Sequence, residues 1–364
     1  MKVFHAPVTA LVLGIVTLGG QAMAAEWTDR ISIGGFASAN YNRTSSEVPF
    51  NGEENVGHDD KGSWSGTRMG VNIQAQINKR FRFASQFFAS KAENFGVSVD
   101  WAFSELMLSD ELALRTGRIK FPVGIVNEYT DVGYSMPWIR PPAAIYSELG
   151  TPYGPQITRE SYTGASLLGN LSAGDWTLGA DLFGGEILLE NASVRGMGGI
   201  SLTADWDDTV LFQASANQGT MHGTGSFMGG AMEGTTHQSI VYGIKADWNN
   251  ILVYAERGDV SMGSVTPMNS TSWYTTVGYQ MGSWLPHLTY QDYEKETNGS
   301  RSDKQRIVTL GLRWDFMPSV AFKVELSQIK TDQGVGLFVP EDPIAGPFPD
   351  NSVNMVGLGL DTVF

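Results

Sequence analysis

The chain has 364 residues, a formal net charge of −14 and no cysteine, with 43 glycines and 11% aromatic residues. Without cysteine there is no disulfide, thiolate metal site or thiol nucleophile. The acidic balance argues against nucleic acid as a partner, because phosphate is held by Lys and Arg.

Residues 1–24 read as a secretory signal, with Lys2 as the positive start, Ala10 to Gly19 as a short apolar run and Ala22-Met23-Ala24 as a small-x-small cleavage site. After it, no apolar run approaches the ~20 residues that a spanning helix requires. Alternating segments recur instead, the distributed signature of a transmembrane β-barrel. Residues 25–364 are expected to form one such domain.

The first strand is expected over 30–41, with Ile31, Ile33, Ala37 and Ala39 on one face and Ser32, Gly34, Ser38 and Asn40 on the other. A polar, acidic loop follows over 42–65. Met69, Val71, Ile73, Ala75 and Ile77 then alternate with Arg68, Asn72, Gln74, Gln76 and Asn78. After Lys79-Arg80, Phe81, Phe83 and Phe87 alternate with Arg82, Ala84 and Gln86. Period two over such lengths gives each strand one apolar and one wet face. Further strands are expected at 97–109, 112–121, 162–173, 176–187, 195–206, 209–219, 238–248, 251–260, 272–282, 284–294, 306–316, 320–330 and 353–364. That makes about sixteen antiparallel strands in an all-β barrel, short turns alternating with long loops. Trp176, Trp206, Trp248, Trp284 and Trp314 all fall beside short turns, where amphipathic rings form girdles at headgroup level. The last strand ends on Phe364, which resembles the assembly signal of outer-membrane proteins and implies the outer membrane of a Gram-negative bacterium, reached by export through the periplasm.

The connection 122–161 is long, holds Pro137, Pro141, Pro142, Pro152 and Pro155, and carries Tyr129, Tyr134, Trp138, Tyr146 and Tyr153. Loops of that length are functional or disordered, and aromatic content favours packing over disorder. It is expected to fold into the lumen and constrict it.

The stretch 97–125, Val-Ser-Val-Asp-Trp-Ala-Phe-Ser-Glu-Leu through Leu-Arg-Thr-Gly-Arg-Ile-Lys-Phe-Pro-Val-Gly-Ile, resembles a hairpin of the porin superfamily that includes phosphate-selective and trimeric dicarboxylate-type porins. There a Gly-Arg/Gln-aromatic-Lys-x-Pro run leads into the constriction loop; here Ile119 stands in the aromatic position. The Pro-Glu-Phe-Gly-Gly motif of general enterobacterial porins is absent. The resemblance implies a water-filled, trimeric diffusion pore for small hydrophilic solutes and ions, embedded among outer-membrane lipid and lipopolysaccharide, with no cofactor.

Arg118 and Lys120 share a strand face with Thr116 and are expected to point into the lumen just before the loop. With Glu128, Asp131, Arg140, Glu148 and Arg159 they form the expected constriction, where fixed charges order water and select ions. Arg68, Arg82, Lys245, Arg313 and Lys323 are expected on the lumen wall, among Asp100, Asp181, Asp205, Asp247, Glu256, Asp315 and Glu325. Mixed signs argue for weak charge selectivity and against a dedicated phosphate site. A substrate-specific organic-acid channel remains the alternative within the pore class. Glu47, Glu53, Glu54, Asp59 and Asp60 make an acidic mouth without regular calcium-ligand spacing. Met221-His222, Met228, Met232 and His237 offer thioether and imidazole groups that suit copper, but no fixed geometry, so no metal is expected. The other class is an outer-membrane lipase or protease. After the signal it would have His58, His222, His237 and His287 as bases, none beside a nucleophile motif, so no enzyme is expected.

Overall fold

The computed structural model describes residues 30–51, 62–91, 94–147, 161–188, 192–223, 233–263, 267–340, 346 and 348–364. Sixteen strands carry the fold: β1 (Ile31–Thr44), β2 (Arg68–Asn78), β3 (Phe81–Ser90), β4 (Ser98–Met107), β5 (Leu112–Lys120), β6 (Ser161–Ala173), β7 (Trp176–Leu188) and β8 (Ala192–Trp206). They continue as β9 (Val210–Gly223), β10 (Thr235–Trp248), β11 (Ile251–Gly263), β12 (Met268–Tyr279), β13 (Trp284–Thr297), β14 (Ser300–Met317), β15 (Val320–Gln333) and β16 (Ser352–Val363). Each pairs antiparallel with its sequence neighbours, and β1 pairs with β16 to close the barrel. Several strands outrun the expected ranges at the long-loop end. β14, expected over 306–316, begins at Ser300, because polar strand tips are set by ladder bonds and show no apolar alternation.

Local chemistry explains the up-and-down course. Asp207-Asp208 (φ 50° and 53°) and Asn249-Asn250 (φ 49° and 68°) are both left-handed, the conformation that two-residue hairpins of type I′ need and that Asn and Asp tolerate best. Outward residues such as Leu178, Leu182, Leu288, Leu310 and Leu326 are exposed apolar side chains. The five tryptophans project at the short-turn end, all exposed. Trp284 and Trp314 stack with ring centroids 4.9 Å apart, and Trp176 sits opposite Trp206.

The closing seam has its own fit. Gly35 N–H donates to the Phe364 carbonyl (2.9 Å) and Phe364 N–H to that of Gly35 (3.0 Å). A Cβ on Gly35 would stand 2.5 Å from the Phe364 ring.

What fills the barrel is the connection after β5. Residues 121–147 lie inside it, as two short 3-10 turns (Asn127–Tyr129 and Gly133–Ser135) and the one-turn helix α1 (Ala143–Tyr146). Val123, Val126, Met136, Trp138 and Ile145 pack there against inward Tyr254 and Tyr274, and Ala143 and Ala144 against Tyr293 and Ile307.

Candidate functional site

The loop crosses the bore and is held largely through its own backbone. On β11, the Glu256 carboxylate accepts from Ile125 N–H (2.7 Å), from the Tyr146 hydroxyl (2.6 Å) and from the Tyr274 hydroxyl (2.5 Å). Burial, with Glu256 alongside, pushes the Tyr146 phenol well above its ordinary pKa, so it stays a donor. On the far wall Arg68 donates to the carbonyls of Asp131 (2.8 Å) and Thr130 (3.3 Å). Lys323 donates to those of Gly133 (2.6 Å) and Trp138 (2.7 Å) and pairs with Asp361 at 2.8 Å. Arg313 bonds the Tyr134 and Met136 carbonyls, and its guanidinium lies 4.7 Å from the Tyr134 ring centroid. Glu325 accepts from Ile139 N–H (3.0 Å), Gln291 from Ala144 N–H (3.1 Å), and Trp138 Nε1 donates to Thr276 and Thr289 (3.0 Å each).

Small residues make room for this dock. A Cβ on Gly357 would come 2.9 Å from Ile139 Cδ1, and one on Gly359 3.2 Å from Ile139 Cγ1. Buried charges cost heavily unless paired or hydrogen-bonded. Here the loop's main chain is what satisfies many of them.

The structure sorts the expected constriction residues differently from the alternation argument. Ile119 is buried in the lumen cluster with Tyr162, its ladder partner. Two residues earlier on the same side, Gly117 opposes Phe103, and Arg115 opposes Glu105. Arg118 and Thr116 therefore lie on the outer face of β5, both exposed, and Arg118 Nε donates to the Asp100 carbonyl at 2.6 Å. Of Arg118 and Lys120, both expected to point inward, Arg118 does not, an error of phase. The polar residues change sides near Gly117, where φ is 132°, while the ladder register runs on without a shift. Lys120, at the strand end, is buried and bridges Asp100 and Asp131 at 2.9 Å each. It clamps the loop, with no gap between it and Asp131. Glu128 is exposed on the loop. Arg140 reaches over Gly66, where a Cβ would stand 3.0 Å from its guanidinium. Glu148 and Arg159 lie outside the described residues, as do Glu53, Glu54, His58, Asp59, Asp60, Met228 and Met232.

Along β11–β16, β1 and β2 the inward residues beneath the loop are buried, including Glu256, Thr276, Thr289, Lys323 and Asp361. On β3–β10 several stay partly accessible. Arg82 and Arg115 converge on Glu105, each with Nε 2.6 Å from a carboxylate oxygen, and Arg115 also lies 5.0 Å over the Phe103 ring. Both arginine side chains keep part of their surface, 33% for Arg82 and 22% for Arg115, while Glu105 keeps 7%. Tyr162 and Asp181 each lie within electrostatic reach of both Glu128 and Arg115. Lys245 stands on the same arc, 5.5 Å over the Tyr254 ring. Arg115 was missed by the sequence reading. Its signal was the ladder parity of Ala113, Arg115 and Gly117 against outward Leu112 and Leu114.

Among the described residues no group of three His, Asp or Glu side chains is placed to hold a metal. His287 is buried on the inner wall, 3.9 Å from Glu325, behind the loop. His222 pairs with Glu233 at 2.7 Å at the long-loop end.

No family model and no curated protein matches the sequence. Solved structures do. The chain resembles the anion-selective porin of Comamonas acidovorans at 13% identity, with a TM-score of 0.63, over 92% of this chain and 99% of that one. The outer-membrane channel DcaP of Acinetobacter baumannii aligns at 12% identity and a TM-score of 0.61, over 92% and 97%. OmpT of Vibrio cholerae in its trimer form aligns at 12% and 0.59, over 92% and 100%. Likeness at such identities concerns the fold, and the fold of this chain is that of the Gram-negative outer-membrane porins.

Proposed function

We propose that this chain is an outer-membrane porin, a passive and weakly charge-selective channel for small hydrophilic solutes and ions. One observation carries the reading. A loop anchored across a closed barrel leaves an arc, β3–β10, where Arg82, Arg115, Lys245 and Asp181 stay partly accessible beside Glu105 and the exposed Glu128 of the loop. A barrel of this size has a wide lumen unless something fills it, and charges in a narrow gap act through a lower effective dielectric than charges at a mouth. Expected selectivity is therefore set by Arg115 and Glu128, with Lys120 and Asp131 holding the loop in place. Residues 1–24 serve as the export signal in this reading, and lipid covers the outer face.

A homotrimer is the assembly we propose. It is supported by the wall of β3–β5, shorter than that of β13–β15. Arg118, Thr116, Ser104 and Ala102 on that wall's outer face form a patch better suited to protein than to acyl chains. The trimer form of the similarly folded OmpT is in keeping with it. Purified protein in planar bilayers should give stepwise, ohmic conductance, and liposome swelling with sugars, amino acids and dicarboxylates should rank the solutes. Hydrolysis of lipid or peptide without conductance would replace this reading with an enzyme.

A further inference from the structure

The two arginines that meet on Glu105 are not used up alike. Arg82 closes on that carboxylate with Nε at 2.6 Å and Nη2 at 2.9 Å from its two oxygens. Arg115 gives Glu105 only its Nε, at 2.6 Å. Its Nη1 and Nη2 make no hydrogen bond among the described residues. The group lies over the Phe103 ring and keeps 22% of its side-chain surface. A guanidinium with a free edge is a ready partner for a carboxylate, which its fork matches in geometry and charge.

Opposite charge stands near that edge without closing on it. Arg115 faces Ser166 across the β5–β6 ladder, and adjacent strands lie ~4.8 Å apart. Ser166 donates to Asp181 Oδ1. The Asp181 carboxylate, which starts from β7, is thereby drawn toward the strand beside Arg115. No ion pair joins the two among the described residues, yet Asp181 is within electrostatic reach of both Arg115 and Glu128. Glu128 is exposed on the loop and has no ion pair there either. Two carboxylates in reach of one another repel, and a cation between them relieves that repulsion.

This arrangement discriminates among small hydrophilic solutes. A dicarboxylate finds one free guanidinium edge, and its second charge is repelled by Asp181 and Glu128. A sugar leaves both signs of charge without a counter-charge. An α-amino acid carries a carboxylate and an ammonium on one carbon. It spans an interval too wide for a direct ion pair and narrow enough for Arg115 and Asp181 to sense each other. We propose that this arc binds α-amino acids, the solute's carboxylate on the free edge of Arg115 and its ammonium between Asp181 and Glu128. The proposal rests on the porin reading and deepens it, naming the class of solute that the arc takes.

The test uses full-length protein in proteoliposomes at neutral pH and follows uptake of radiolabelled alanine, lactate and succinate. Lactate has a hydroxyl where alanine has its ammonium, and succinate is the dicarboxylate. Rates are taken at low solute concentration, over protein-free liposomes and per conducting channel. Alanine should enter roughly fivefold faster than lactate, the scale of one exposed charge contact. Asp181→Asn keeps a partner for Ser166 but removes the charge, and should slow alanine to near the lactate rate. Arg115→Gln should slow alanine as well. A general field from Asp181 acts differently, since its removal would raise lactate and succinate and leave alanine, which has no net charge, unchanged. Alanine no faster than lactate in the parent, or alanine uptake unchanged in either variant, overturns the proposal. Single-channel conductance of the same protein separates the two failures. A barrel that conducts without favouring alanine ends the amino-acid site alone, and protein that neither conducts nor admits any of the three solutes ends the porin reading beneath it.

Discussion

Arg115 and Arg118 lie three residues apart on one strand and do opposite things. Arg115 is bonded to Glu105 and keeps part of its surface on the lumen side, while Arg118 lies on the outer face. Neutralising a charge beside a narrow bore alters ion energies there by on the order of 1 kcal/mol, a several-fold change in permeability ratio. Arg115→Gln should therefore move the reversal potential toward cation selectivity, and Glu128→Gln should move it the other way. Arg118→Gln should leave it unchanged in a salt gradient. A shift for Arg118→Gln equal to that of Arg115→Gln would reverse the face assignment. The residue scale is also where the sequence is least legible. In Leu112–Phe121 the apolar side chains fall on even positions in the lower half and on odd positions above Gly117, so alternation alone offers two answers. Only the neighbouring strands, through Glu105 and Tyr162, settle the parity.

The loop is a single element with many anchors, and its inward fold was readable because prolines exclude strand while aromatics demand burial. Its grip was not. Glu256, Glu325, Arg68 and Lys323 read as ordinary lumen charges, and nothing in a sequence tells that a side chain will bond distant main-chain groups. The glycines of β16 are the physical counterpart. Their missing Cβ atoms admit Ile139, yet in sequence they look like any strand glycine. Overpacking of this kind costs about 1–3 kcal/mol. Gly357→Val should thus displace Ile139, loosen the loop and give larger, noisier conductance steps from a barrel with unchanged circular dichroism. Deleting residues 128–147 should go further and raise single-channel conductance and the solute size cut-off together. If both stay as in the parent, the loop does not set the bore.

A closed barrel leaves no strand edge unpaired, which is what permits a polar backbone to cross a membrane. That closure was legible at the coarsest level, since about sixteen alternating segments with short turns have few other solutions. The seam between β1 and β16 joins the chain's most distant strands, so its pairing closes the largest loop and comes at the greatest entropic cost. Phe364 contributes two backbone bonds and a ring laid over Gly35. A side chain at Gly35 has nowhere to go, with the Phe364 ring at 2.5 Å and the Gly70 carbonyl at 2.6 Å from its Cβ. Gly35→Val should therefore lower the temperature at which the barrel unfolds in detergent, read as loss of heat-modifiable migration on gels, and slow refolding into micelles. Gly263→Ala is the control, because its Cβ would meet nothing within 4 Å, and it should behave as the parent. Removing Phe364 should slow assembly in the same way while leaving the conductance of whatever barrel forms unaltered, since the residue lies far from the charged arc. If Gly35→Val and the Phe364 deletion both refold at the parent's rate, the terminal contact is not what closes the ring, and the limiting step must be sought in the docking of the loop instead.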